Sequence, residues 1–317
     1  MDIPTRPTPG PPTGQRPASP ASRRPASRRS DLLSVLGQLT TRDRQLLDLL
    51  DEHEVLTTSQ LARLAFPSRS MAQRRLLRLT GLGVFDRFRW HLPVGSQDWR
   101  YTTGLLGEEL IAAARGVTPP RPAEHHRRLT RLAASPRLGH LLGVNDLFTR
   151  LAGHARSHPG CALSTWWPER RCAGRYGQLV RPDGYGTWTQ GGRHVEFFVE
   201  YDGTEPLTRV VAKLPGYADL AAAGGPALPV LIWVPTLHRE ANLLTALAAQ
   251  PWPVTVATAS TELARSYQQG PAGAVWHTRL SQHRQPLISL GRPDIPPGEP
   301  AGYAGMPAPL PPAGGRW

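Results

Sequence analysis

The chain has 317 residues, 37 Lys+Arg against 24 Asp+Glu, and a formal charge of +13. Its 31 Gly and 34 Pro exclude one compact globule throughout; setting the Pro/Gly-rich ends aside leaves about 250 residues, enough for two modest cores. Two cysteines, Cys161 and Cys172, exclude a disulfide scaffold and a four-cysteine zinc module. No run approaches 18 uninterrupted apolar residues, and no apolar signal-peptide core opens the chain. A cytoplasmic protein with no membrane partner is therefore expected.

A single lysine, Lys213, stands among the cations; the rest are arginine. Arginine suits phosphate recognition, so a chain this basic is expected to meet a polyanion.

Residues 1–38 read as a disordered basic tail: the first 30 carry eight prolines and six arginines against the one acid Asp2. Residues 39–115 read as a compact module. Thr41 is placed as the cap of a helix bearing Leu46, Leu47, Leu49 and Leu50, and Thr58 as the cap of a second bearing Leu61, Leu64 and Ala65. After a Pro67-Ser68 turn, a third helix over 69–81 carries Met71, Leu76, Leu77 and Leu79. Val84–Trp90 and Trp99–Thr103 alternate as two strands. Three short helices and a hairpin predict a winged helix-turn-helix that binds double-stranded DNA through its third helix. That helix offers Arg69, Arg74, Arg75 and Arg78 and no acid, with Arg74 and Arg78 on one face; Arg87 and Arg89 alternate on the first wing strand.

Residues 116–122 (GVTPPRP) read as a linker, 123–290 as a second module and 291–317 as another disordered Pro/Gly-rich tail. The second module opens with helical residues 123–158, broken near Ser135-Pro136. Strands follow at ALSTWWPERR, QLVRPDGYGTW and RHVEFFVEYD, then a helix over 204–223 and a buried strand PVLIWVP. A helix at 238–249, a short strand PVTVATA and a helix near 260–268 complete the pattern. The class is α/β, with an α-β-β-β-α-β core. Alternation puts Glu196, Phe198, Glu200 and Asp202 on one face, so Glu200 and Asp202 are expected to converge with Asp183; Glu169 is placed on the preceding strand.

This order, with Pro182-Asp183 on the second strand and Glu200 closing the third, resembles the PD-(D/E)XK restriction-endonuclease-like core. The resemblance implies a Mg²⁺ site on Asp183 and Glu200, with Glu169 or Asp202 as a further ligand. The lysine such cores carry two places after the acid is replaced here by Asp202, and Lys213 on the next helix is its expected substitute. Tyr217 lies four residues on, yet Pro215-Gly216 is expected to interrupt that helix. His125-His126 with His140 lack cysteine partners at zinc spacing. Trp166, Trp233 and Trp252 read as core, and Trp188 as core or a stacking platform for an unpaired base. No phosphate-binding glycine loop is present, and Tyr185 and Tyr217 have no His cluster of the kind a tyrosine relaxase needs.

More specifically, the run RDRQLLDLLDEHEVLTTSQLARLAFPS, followed by HLLGVNDLF, WWPERR, RPDGYG, FFVEYDGTE and KLPGY, resembles the replication-relaxation proteins of actinobacterial plasmids and mobile elements. The resemblance covers about residues 40–285 and implies a DNA-associated role in plasmid replication or transfer. Two classes of activity stay open: a Mg²⁺-dependent nickase or endonuclease, and a non-catalytic DNA-binding regulator whose second domain serves homodimerisation or docking of plasmid replication or transfer proteins.

Overall fold

The computed structural model describes residues 32–90, 97–204, 206–249 and 251–291. The expected tails therefore lie almost wholly outside the described residues, as does most of the turn between the two wing strands. The described residues divide into two units, one up to residue 38 and one from residue 39 onward. In the first, residues 32–36 form a helix, α1, and the Gly37 N–H donates to the Leu33 carbonyl.

The second unit begins with α2 (Thr41–His53), β1 (Leu56–Thr57), α3 (Thr58–Ala65), α4 (Arg69–Gly81), β2 (Phe85–Phe88) and β3 (Arg100–Thr103). The first two caps fall one residue earlier than expected. Thr40 and Thr57 occupy them because each has an acceptor three residues on, Asp43 and Gln60, that returns a bond to the cap N–H. Strands β1, β3 and β2 form a small antiparallel sheet in that order. Leu46, Leu50, Leu61, Leu64, Leu76, Leu79 and Phe85 are buried beneath the helices, whereas Met71 and Leu77 stay exposed on α4. An unanticipated helix, α5 (Leu105–Arg115), ends at Gly116, whose φ of 66° supplies the left-handed stop.

After a short coil come α6 (Pro122–Ala133) and α7 (Leu138–Ser157), then β4 (Cys161–Pro168), α8 (Glu169–Tyr176), β5 (Gly184–Gln190), β6 (Arg193–Tyr201), α9 (Thr208–Ala222) and β7 (Val230–Val234). The chain continues through α10 (Leu237–Ala248), β8 (Val256–Ser260), α11 (Thr261–Ser266), β9 (Ala274–Thr278) and β10 (Gln285–Pro286). The strands form one seven-stranded sheet in the order β10-β9-β8-β7-β6-β5-β4. Strands β4 to β6 are an antiparallel meander, β6, β7 and β8 run parallel, and β9 and β10 return antiparallel. The mixed α/β class expected from the sequence thus holds, with an extra helix between the first two strands of the core.

Two local expectations are corrected. WWPERR is not wholly strand: β4 stops at Pro168, and Glu169 opens α8. Nor do Pro215 and Gly216 break their helix, for α9 runs through both. Pro215 forfeits one backbone hydrogen bond. The missing side chain of Gly216 lets α9 lie against the loop between α8 and β5, where a Cβ would meet the Leu179 carbonyl at 2.9 Å.

Helices α8, α9 and α10 cover one sheet face through Cys172, Leu214, Tyr217 and Leu243, packed on Trp167, Tyr185, Phe198 and Ile232. The other face receives α7, whose Phe148 stacks near Trp166 and Phe197. Strand β5 has room for Phe148 because residues 184 and 186 are glycine; a Cβ on either would come within 2.8 Å of the ring.

The halves on either side of the 116–121 coil pack directly. His53 stacks on Trp166 with ring centroids 3.7 Å apart. Asn145 donates to the Val55 carbonyl at 2.9 Å, Gln60 to the Leu142 carbonyl at 2.9 Å, and Arg63 pairs with Asp146 at 2.7 Å.

Candidate active site

Register places the central acids. Gly184 faces Val199 across the antiparallel β5–β6 pair, so the next residues outward, Asp183 and Glu200, emerge side by side. Glu200 also lies opposite Ile232 on parallel β7, at the edge where β6 and β7 end. In open α/β sheets the carboxyl ends of parallel strands are where ligands are received.

Lys213 reaches both acids from α9. Its Nζ is 3.1 Å from Asp183 Oδ1 and 2.5 Å from Glu200 Oε2. One turn later, Tyr217 donates its hydroxyl to Glu200 Oε1 at 2.5 Å. The second Asp183 oxygen accepts the Tyr201 backbone N–H at 2.9 Å and lies 2.9 Å from His140 Nε2. His140 approaches from α7, and the Tyr201 ring lies over Gly143 one turn further along, where a Cβ would come within 2.1 Å of it. The two acids are 4% and 1% exposed, whereas the Lys213 side chain is 37% exposed.

Burial alone would raise the Asp183 carboxyl, but the His140 ring, the Lys213 ammonium and the Tyr201 N–H outweigh it and hold the pKa at about 2. Glu200 goes the other way: burial and the neighbouring Asp183 charge push it well above the usual carboxylate range, against the pull of Lys213 and Tyr217. Burial would lower Lys213, yet the two acids overcome it and strengthen its hold on the proton. Burial and the same acids raise Tyr217, so its hydroxyl stays a donor.

Asp183, Glu200 and Lys213, singled out in the sequence, are therefore brought together, with Tyr217 joining them. Glu169 and Asp202 are placed differently. Asp202 falls just past the end of β6 and is gripped by Arg239, at 2.7 and 2.8 Å. Glu169, at the first turn of α8, pairs with Arg137 at 2.5 Å. Among the described residues, no three His, Cys, Asp or Glu side chains form a group that could hold a metal ion. His140 is the member whose role sequence reasoning missed. His125 sits instead between Asp86 and Glu108, at 2.7 and 3.0 Å. Trp188 is fully buried, with its indole N–H on Gln190, and so is core.

The arginines divide. Arg75 is committed to the buried Asp43 of α2, with Nε 3.0 Å from Oδ1. Arg69 pairs with Asp98 and donates to Ser59 at 2.9 Å. Arg75 is therefore held within the module, whereas Arg69 keeps an exposed side chain despite its pairing. Arg74 and Arg78 are exposed on α4. Arg87 and Arg89 lie over the Trp99 ring at 4.0 and 4.3 Å, Arg89 just beyond the end of β2.

The depressed Asp183 pKa stabilises the fold above the unfolded value near 3.8, and that contribution disappears as pH falls toward 2. Asp183→Asn should cost about 2 kcal/mol at pH 7. In urea unfolding curves its deficit against wild type should shrink as the pH is lowered from 5 toward 2. A deficit independent of pH would show that Asp183 contributes by shape alone.

Among the described residues, no helix is long and apolar enough to cross a membrane. Searches of curated proteins and of solved structures found no match. The family model described as replication-relaxation matches residues 47–230, from within α2 to the first residue of β7 and including every member of the acid–lysine cluster. That span is more than half of the 317 residues, and the chain belongs to the replication-relaxation family.

Proposed function

We propose that this chain is a DNA-binding protein acting in plasmid replication or transfer, which nicks or cleaves DNA with the help of a divalent metal ion. The observation that carries the reading is the convergence of Asp183, Glu200 and Lys213 at adjoining strand ends. Mg²⁺ characteristically takes one or two carboxylates and completes its shell with water and phosphate. The donor set fits, because oxygens of both acids already meet at one cationic point, the Lys213 ammonium. Asp183 and Glu200 would hold the ion, whose contribution when bound would be an activated water and neutralisation of charge on the scissile phosphate. Tyr217 fixes the orientation of Glu200. The half-exposed Lys213 meets charge developing on the phosphoryl oxygens.

The order α2-β1-α3-α4-β2-β3, with its small antiparallel sheet, supports a winged helix-turn-helix reading of residues 39–115. In that reading Arg74 and Arg78 on α4 contact duplex DNA. Arg87 and Arg89, held over Trp99, face the backbone beside the wing.

A second reading is favoured by one observation: Glu169 and Asp202 are engaged by arginines, leaving two acids that are both already paired with Lys213. The nuclease-like domain would then be a degenerate scaffold and the chain a non-catalytic winged-helix regulator. Incubation with supercoiled plasmid separates the two. The nuclease reading expects open-circular or linear product with Mg²⁺ or Mn²⁺, none with chelator, and at least a hundredfold loss in Asp183→Ala with duplex binding retained. Absence of conversion by a protein that binds duplex would establish the regulator. Arg74→Ala with Arg78→Ala should weaken duplex binding and reduce the slope of log affinity against log salt by about two; unchanged affinity and slope would remove α4 from the interface.

A further inference from the structure

A cleft of about 400 Å³ opens beside Asp183, between the α6–α7 junction, the end of α2 and the start of α8. Its walls are apolar at Leu141, Val144 and Ala173; Arg137, Arg170 and Arg181 line it together with the acids Glu54, Glu169 and Asp183. The three arginines are exposed. Arg137 and Arg170 also pair with Glu169 and Glu52, which sets their guanidinium groups in place. Arg181 stands two residues before Asp183, and its carbonyl lies 3.4 Å from Lys213 Nζ.

The volume suits one drug-sized group. Duplex DNA, whose major groove alone is about 12 Å wide, does not enter a cleft of this size. Aliphatic walls of this size accommodate a single unstacked base, and the exposed Arg181 beside Asp183, with Arg137 and Arg170 at the rim, meets the flanking phosphates. Asp183 is only 4% exposed and lines this same cleft, so a phosphodiester reaches it alongside a base that has left its stack. We infer that the cleft takes one unpaired nucleotide, and that the substrate class of the Asp183 site is single-stranded or locally opened DNA rather than intact duplex. The substrate assignment rests on the nuclease reading; the binding of an unpaired nucleotide does not. In this arrangement the α4 face holds duplex while the strand to be processed is read unpaired.

The test uses the full chain, in chelator, with a single-stranded decamer carrying 2-aminopurine, whose fluorescence rises when the base unstacks. Wild type should bind it with a severalfold rise in emission. Arg181→Glu and Ala173→Phe should each weaken decamer binding about tenfold and leave duplex affinity within about twofold. Arg181 is exposed, so its variant keeps the test decisive where Ala173→Phe fails to fold. Decamer binding unchanged in Arg181→Glu, or an equal loss on duplex, overturns the inference. Metal addition then separates the two readings. Cleft-dependent binding of the decamer without metal-dependent cutting supports the nucleotide cleft and defeats the nuclease. Cutting of DNA that is indifferent to both variants does the reverse.

Discussion

Two carboxylates placed side by side out of water are unfavourable, and the second module is arranged around making that tolerable. Each buried ion carries a desolvation cost of several kcal/mol, and a well-packed apolar pair of similar volume would be at least as stable. The sequence instead spends its single lysine on the pair and adds the Tyr217 hydroxyl and the Tyr201 backbone N–H. Each partner needs its own support. Lys213 and Tyr217 share a helix face because α9 runs through Pro215. Tyr201 holds its position because Gly143 leaves space for its ring. Phe148 anchors α7 over two glycines of β5, bringing His140 to the same edge. The strain is not evenly shared: Asp183 is held ionised, while burial pushes Glu200 toward its protonated form. Neighbouring carboxylates pushed in opposite directions at the mouth of an open sheet are a feature shared by reaction centres and by structural ion-pair networks, and this pair carries the proposed function.

The second organising feature is the seam between the two halves. His53 on Trp166, Asn145 on the Val55 carbonyl and Glu52 between Arg170 and Arg171 tie the small helical module to α7 and α8. Burial and the two nearby arginines hold His53 well below its ordinary pKa, so the stacked ring is neutral. The α4 face and the Asp183 cleft therefore belong to one body.

Much of this was legible in the sequence where the signal was local. Period and caps located α2, α3, α4 and most strands to within a few residues, and alternation along HVEFFVE placed Glu200 on its face; the strand read from QLVRPDGYGTW begins only at Gly184, so Pro182-Asp183 lies just before it and not on it. What escaped depended on tertiary partners. Asp202 follows Glu200 on the same side by alternation, yet it falls past the strand end, where Arg239 from α10 claims it. Arg75 read as one of four equal arginines because the buried acid that holds it, Asp43, lies 32 residues earlier in the chain. Glu169 looked like a strand residue because WWPERR has no break signal other than Pro168, which serves here as the cap of α8. His140 is separated from Asp183 by two elements, and neither periodicity nor motif links residues at that distance.

The central claim is that Asp183 and Glu200 form a divalent-ion site and not only an ion pair with Lys213. Calorimetric titration of Mg²⁺ and of Mn²⁺ into the full chain, beside Asp183→Asn, tests it most directly. The account predicts saturable binding of the ion by the wild type that is abolished in the variant. Absence of saturable binding, or equal binding by both proteins, would contradict it and leave the cluster as a purely structural knot at the sheet edge.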